Sequence, residues 1–195
     1  LANQVTDERL LAEAASGDGK AFQILYERYR DPIFRLAFRL LGSAEAAEDV
    51  AHDCFLSLIQ APHRFDPERA SLRTYIYAAA RNQAAKRYQN SGRESGLDEI
   101  GEEPEVGERH SPMAHVLDNE LASEVEQAIA SLPPLQREAI VLFEFEDLTL
   151  AEIAAVVGAD SNTVKARLFR AREKLRNRLD RYFRIGREAA KFKRA

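Results

Sequence analysis

Residues 148–176, LTLAEIAAVVGADSNTVKARLFRAREKLR, restrict what this chain can fold into more than any other stretch. Thr149 and Glu152 have the spacing of a capping box, and Leu148 and Ile153 sit where a hydrophobic staple would close it. The helix they open is short, because Gly158 supplies the left-handed residue that ends helices. Ser161 is then expected to cap a longer second helix. On that helix Val164, Leu168, Ala171 and Leu175 recur with helical spacing and form one stripe to bury. At about 100° per residue Phe169 falls about 140° away from Val164, among Asn162, Lys165, Ala166 and Glu173. A short helix, a glycine turn and a basic helix with an outward aromatic predict a helix-turn-helix whose second helix faces DNA. A surface helical hairpin with merely solvated charges is the bland alternative. It leaves the agreement of caps, turn, spacing and charge to chance.

The formal net charge of −4 argues against a nucleic-acid binder until its distribution is examined. Residues 1–90 balance 12 basic against 12 acidic side chains; residues 91–118 are net −6 and residues 119–160 net −8. Residues 161–195 are net +10, so the net basic charge sits on the second helix of the motif and beyond it. That is the footprint of phosphate contact, although a solvated basic tail would give the same sum. Ala, Leu, Arg and Glu dominate and no strand-like alternation appears, which predicts an all-α fold. No apolar run approaches the ~20 residues of a membrane span, and no signal peptide is read. The single cysteine, Cys54, excludes an internal disulfide and suits a reducing cytoplasm.

Organisation follows from where periodicity starts and stops. Thr6 and Asp18 are expected to cap the first two helices, and Pro32 to kink or split the second. Gly42 ends that helix and Ser43 caps the next, with Ala47, Val50, Cys54 and Leu58 on its apolar side and Glu48, Asp49, His52 and Asp53 on the other. Residues 61–70 form a loop. Ser71 then caps a helix in which Tyr75, Tyr77, Arg81, Asn82, Lys86 and Arg87 interleave. Aromatic and basic residues so mixed suit single-stranded bases; a core tyrosine with surface charges explains them equally well. Residues 91–110 are rich in Gly, Glu and Ser and predict a flexible acidic linker. Ser111 and Pro112 are placed at the start of a helix through Val116, Leu121, Val125 and Ile129, and residues 132–134 interrupt it. The expected units are therefore 1–90, a linker at 91–110, a second domain at 111–180, and a basic tail at 181–195.

With these segments in place the chain resembles bacterial RNA polymerase sigma factors of the extracytoplasmic-function (ECF) type. The second half, LPPLQREAIVLFEFEDLTLAEIAAVVGADSNTVKARLFRAREKLR, resembles the family's region 4. DGKAFQILYERY, AEDVAHDCFLSL and SLRTYIYAAARNQA resemble region 2. The resemblance implies a two-domain initiation factor with no catalytic residues, no cofactor and no metal. Its partners would be core RNA polymerase, promoter DNA and an anti-sigma factor, without membrane insertion. Glu48, Asp49, His52, Asp53 and Phe55 would dock on the polymerase clamp. Phe65, Tyr75, Arg81, Asn82, Lys86 and Arg87 would hold the melted −10 element. Asn162, Thr163, Lys165, Ala166, Phe169 and Arg170 would read the −35 element, and residues 135–145 would partly face the polymerase flap. Departures from the family pattern are Tyr75 in place of Trp, Ala78 and Ala79 in place of larger residues, and His52 in place of Gln.

Other constellations carry less. His110 and His115 are poorly spaced for a shared metal, and no cysteine cluster joins them. Cys54 beside Asp53 does not make a nucleophile and base, because consecutive helical residues do not converge. A sigma-like mimic that sequesters an anti-sigma protein without binding DNA is the alternative function; the basic residues 161–195 argue against it. A one-domain helix-turn-helix regulator leaves residues 1–90 unexplained.

Overall fold

The computed structural model describes residues 5–90 and 116–192, with side chains described for 5–90 and 121–180. Among these residues there is no strand. The helices are α1 (Asp7–Ala15), α2 (Gly19–Leu41), α3 (Ala44–Gln60), α4 (Leu72–Asn90), α5 (Val116–Ala130), α6 (Pro134–Glu144), α7 (Leu150–Val157) and α8 (Ser161–Phe192), with a 3-10 turn at Pro62–Arg64. The expected linker at 91–110, the Ser111–Pro112 cap and the histidines His110 and His115 lie outside the described residues.

Short polar side chains set the helix starts. Thr6 accepts from the Arg9 amide and Asp18 from those of Lys20 and Ala21. Ser43 and Ser71 accept from Ala46 and Thr74 in the same way. Gly42, at φ 72°, closes α2 by donating its amide to the Phe38 carbonyl. Pro32, expected to kink or split α2, does not split it: the helix is continuous from Gly19 to Leu41. A proline removes one backbone bond, whereas Leu25, Tyr29, Ile33, Leu36 and Ala37 bury one side of the helix on both flanks of it. The residue that caps α8 is Asp160, not Ser161. Its carboxylate accepts from the Asn162 and Thr163 amides, both at 2.9 Å, and from the Thr163 hydroxyl at 2.6 Å.

Helices α1–α4 form one unit around Leu10, Leu25, Ile33, Leu36, Val50, Leu58, Leu72 and Ile76. Helices α5–α8 form another around Ile129, Leu142, Leu148, Ile153, Val164 and Leu168. The units are in contact: α4 packs on α7, and α2 packs on α5 and α6. Helix α8 continues past the expected domain end at residue 180 as far as Phe192.

Because the cap belongs to Asp160, Asp160→Ala should lower the melting temperature of the chain more than Ser161→Ala, which loses no cap bond. Thermal denaturation followed by circular dichroism measures both. Equal losses would return the cap to Ser161.

Candidate nucleic-acid interface

The helix-turn-helix is built as its local chemistry requires. Thr149 accepts from the Glu152 amide, and the Glu152 carboxylate accepts from the Thr149 amide at 2.8 Å, completing the capping box. The Thr149 hydroxyl also donates to that carboxylate and, as the leading cause, holds it below the usual carboxylate range. Gly158 ends α7 at φ 65°. In α8, Val164, Leu168 and Ala171 are buried and Leu175 packs on the same core. The opposite face presents Asn162, Lys165, Ala166, Phe169 and Arg170 to solvent, with Phe169 70% exposed. Thr163 is half-buried, and its hydroxyl is committed to Asp160. Arg172, further along, is held by Glu144 at 2.7 Å and lies 5.0 Å from the centre of the Phe143 ring. Cations on the outer face of α8 therefore have different freedoms: Lys165 and Arg170 point outward, while Arg172 braces α6.

The aromatic-basic helix α4 is less open than its sequence suggests. Tyr75 is half-buried, its ring 5.5 Å from that of Phe65 and tilted by 63°. Tyr77 is the core tyrosine of the alternative reading: it is buried and donates its hydroxyl to the Glu146 carboxylate at 2.7 Å. Arg81 makes a two-pronged pair with Glu138, both bonds at 3.0 Å, and also donates to the Asn82 side chain. Arg87 reaches back to Asp49 at 3.1 Å and Asp53 at 2.6 Å. Asn82 and Lys86 are exposed.

On α3 the expected polymerase face is only partly available. Glu48, Asp49 and His52 are exposed, and Asp53 is half-exposed beneath Arg87. Phe55 is a correction. Its ring is buried against Phe22 and Tyr26, at centroid distances of 6.2 and 4.8 Å, so it serves the core and offers no partner a surface. Arg87, assigned to the −10 strand, thus shares ion pairs with two residues assigned to polymerase, and the faces meet along one edge. Cys54 is buried; burial, with the Asp53 charge as the smaller cause, pushes its thiol up to about 12. That excludes a reactive thiolate near neutral pH.

The residues that sequence reasoning passed over lie between the units. Arg39 stands 4.0 Å from the centre of the Phe145 ring and pairs with Glu126. Arg73 donates to the Glu146 carbonyl, and Arg137 to that of Leu40. Burial raises the Glu146 carboxyl pKa, against the opposing pull of Tyr77, Arg35, Arg39 and Arg73. Glu138 and Glu146 flank otherwise apolar runs, and two acids facing a buried setting were the available signal.

The capping box, the Gly158 turn and α8, carried beside a second helical unit, define a helix-turn-helix protein of two helical units. Residues 25–94 match the Sigma-70 region 2 family and residues 122–175 match Sigma-70, region 4. The RNA polymerase sigma-H factor of Pseudomonas aeruginosa is 33% identical over 181 residues, covering 89% of this chain and 93% of that protein. The ECF RNA polymerase sigma-E factor of Escherichia coli K12 is 34% identical over 187 residues, covering 92% and 97%. Among solved structures, CnrH, determined in complex with the cytosolic domain of CnrY, matches with a TM-score of 0.67 at 28% identity over 89% of this chain and 97% of that one. The chain belongs to the ECF family of RNA polymerase sigma factors.

The two faces of α8 separate by mutation. Leu168→Ala, a buried truncation, should cost about 2–5 kcal/mol of stability. Phe169→Ala should leave the melting temperature nearly unchanged while weakening binding to a −35 duplex by about 1–3 kcal/mol. Circular dichroism and fluorescence anisotropy read the two effects; unfolding by Phe169→Ala with unchanged DNA affinity per folded molecule would place that ring in the core.

Proposed function

We propose that this sigma factor binds core RNA polymerase through α3, holds the melted −10 strand on α4 and reads the −35 element with α8, under the control of an anti-sigma factor. The observation that carries the reading is the outward face of α8, where a 70% exposed Phe169 stands between Lys165 and Arg170 on a helix whose other side is fully packed. An aromatic left in water on an ordered helix has no packing purpose. Against a thymine methyl or a deoxyribose it does, and Lys165 beside it can reach a guanine edge or a phosphate.

On α3, the exposed Glu48 and Asp49 with His52 make an acidic edge complementary to a basic partner helix. On α4, Asn82 and Lys86 are open, Tyr75 and Phe65 form an aromatic pair at the edge, and Arg81 can supply a two-pronged contact to phosphate once released from Glu138. Control by a bound protein partner has a parallel in CnrH, which is similar to this chain and was solved in complex with the cytosolic domain of CnrY. No helix among the described residues is long and apolar enough to cross a membrane, and we place the chain in the cytoplasm with its polymerase. No residue is assigned a catalytic role.

Transcription in vitro with core polymerase and genomic fragments tests the function: promoter-specific transcripts are expected, and their absence alongside tight anti-sigma binding would make the chain a mimic. Lys165→Ala should flatten the salt dependence of promoter binding by about one unit if its contact is a phosphate. Asn82→Ala should impair promoter opening, read by permanganate footprinting, with core binding intact. Asp49→Lys combined with Asp53→Lys should weaken core binding; equal loss from both sets would merge the two faces. Arg87 touches both acids, so Arg87→Ala should disturb both activities.

A further inference from the structure

A cleft of about 370 Å³ opens where α2, α4 and the turn between α6 and α7 meet. Arg28 and Arg35 line it from one face of α2, Arg73 and Tyr77 from α4, and Glu146 and Asp147 from the turn. The three arginines are not equally engaged. Arg28 is held by Asp7, and Arg73 gives one nitrogen to the Glu146 carbonyl. Arg35 is exposed and makes no hydrogen bond or ion pair among the described residues; it acts on Glu146 through its charge alone. The two carboxylates differ as well. Glu146 is 4% exposed, and one of its oxygens accepts from the Tyr77 hydroxyl at 2.7 Å. Its other oxygen is buried with no hydrogen-bond partner among the described residues. Asp147 is exposed, at φ 50°, in the left-handed region that Asp tolerates better than most residues.

We propose that this cleft binds a small phosphate ester carrying hydroxyl groups, a nucleoside or sugar phosphate, with its phosphate on Arg35 and Arg73 and its hydroxyls on the carboxylates. The volume lies in the range of small-molecule sites, about 300–1,000 Å³. Charge selects the ligand. Arg35 and the remaining donors of Arg73 offer forked bonds that match phosphate geometry. A bare inorganic anion would meet Glu146 and Asp147 with nothing to give them. Hydroxyl groups donate to both carboxylates and supply the donor that the buried Glu146 oxygen lacks, and a buried acceptor left unpaired is costly. Burial also raises the Glu146 pKa, so that carboxyl opposes an incoming phosphate less than an exposed acid would. Solvation alone accounts for an exposed arginine, but not for an orphaned carboxylate oxygen in the same cleft. None of these residues belongs to the faces assigned to polymerase, the −10 strand or the −35 element, so the site stands apart from those assignments.

Isothermal titration calorimetry of the full chain with adenosine monophosphate, glucose 6-phosphate and inorganic phosphate tests the site. At least one ester should bind saturably, one per chain, and the tighter of the two identifies the source. Inorganic phosphate should bind at least about ten-fold more weakly than that ester. Arg35→Ala should weaken the ester by about ten- to hundred-fold, the loss of hydrogen bonds to a charged group. Arg30→Ala removes an exposed arginine of α2 that is outside the cleft and should leave binding unchanged. Asp147→Asn should weaken the ester without weakening inorganic phosphate. Where Arg35→Ala proves unfolded by circular dichroism, Arg35→Gln keeps the side-chain length and carries the same expectation. No saturable binding of either ester, or equal losses from Arg35→Ala and Arg30→Ala, overturns the site. Inorganic phosphate bound as tightly as the esters overturns the role given to the carboxylates. A short single-stranded DNA that displaces the ester, and that loses affinity in Arg35→Ala, assigns the cleft to a nucleic-acid strand and overturns the small-molecule reading.

Discussion

Helix α4 has partners on both long sides, and the arrangement of the whole chain depends on that constraint. Leu72, Ile76, Ala80 and Ala84 run along one side and are buried in the first unit. Tyr77, with Arg73 and Arg81, meets the second unit from another side. The two sides use different chemistry. The aliphatic stripe is water-excluding and non-directional, stabilising the first unit whatever the second does. The other side carries directional bonds, from Tyr77 and Arg81 to carboxylates and from Arg73 to a carbonyl, beside apolar contacts that continue the same core into the second unit.

Much of the fold was legible because local signals agreed. Thr6, Asp18, Ser43, Ser71 and Thr149 announce helix starts by side-chain chemistry that acts within three residues, and all five are caps. The misreadings have one origin, which is that local rules are outweighed by neighbours not visible in sequence. Pro32 costs α2 a backbone bond, but tertiary burial on either side keeps the helix continuous. At the start of α8 two candidate caps stand side by side, and only the geometry of the turn after Gly158 puts the Asp160 carboxylate over the free amides. Phe55 was placed on the partner face by the family resemblance, while Val50, Cys54 and Leu58 alone were read as the buried stripe of its helix. Phe22 and Tyr26 of α2 widen that stripe from outside.

The site divides in the same way. The α8 face was readable because a helix with one buried stripe fixes the direction of everything else on it. Phe169 could be placed by angle alone, and its neighbours Asn162, Lys165, Ala166 and Arg170 are exposed with it. The α4 face was not readable by that method. Tyr75, Tyr77, Arg81 and Arg87 lie around much of the circumference, and periodicity cannot say which part another unit will cover. Arg87 paired with Asp49 and Asp53, and Arg81 paired with Glu138, are contacts 38, 34 and 57 residues apart in sequence. No window-based reading reaches them.

The acidic net charge of a DNA-binding chain also has a physical resolution in this layout. Screening limits the reach of exposed charges to about 8–10 Å at moderate ionic strength, so a groove responds to the helix inside it and not to the chain's total. On α8, Lys165 and Arg170 face outward beside Phe169, while the Glu144 carboxylate that could oppose them is engaged with Arg172. Other acids of the second unit, Glu138, Glu146 and Glu126, point to arginines or tyrosine of the first unit. Segregation of this kind lets one small unit expose cations on one side and turn carboxylates to α4 on the other. Had the −8 of residues 119–160 been spread over the α8 face, it would oppose the phosphate contact proposed for Lys165 and Arg170. Part of that charge, on Glu126, Glu138 and Glu146, instead lies against arginines and a tyrosine of the first unit.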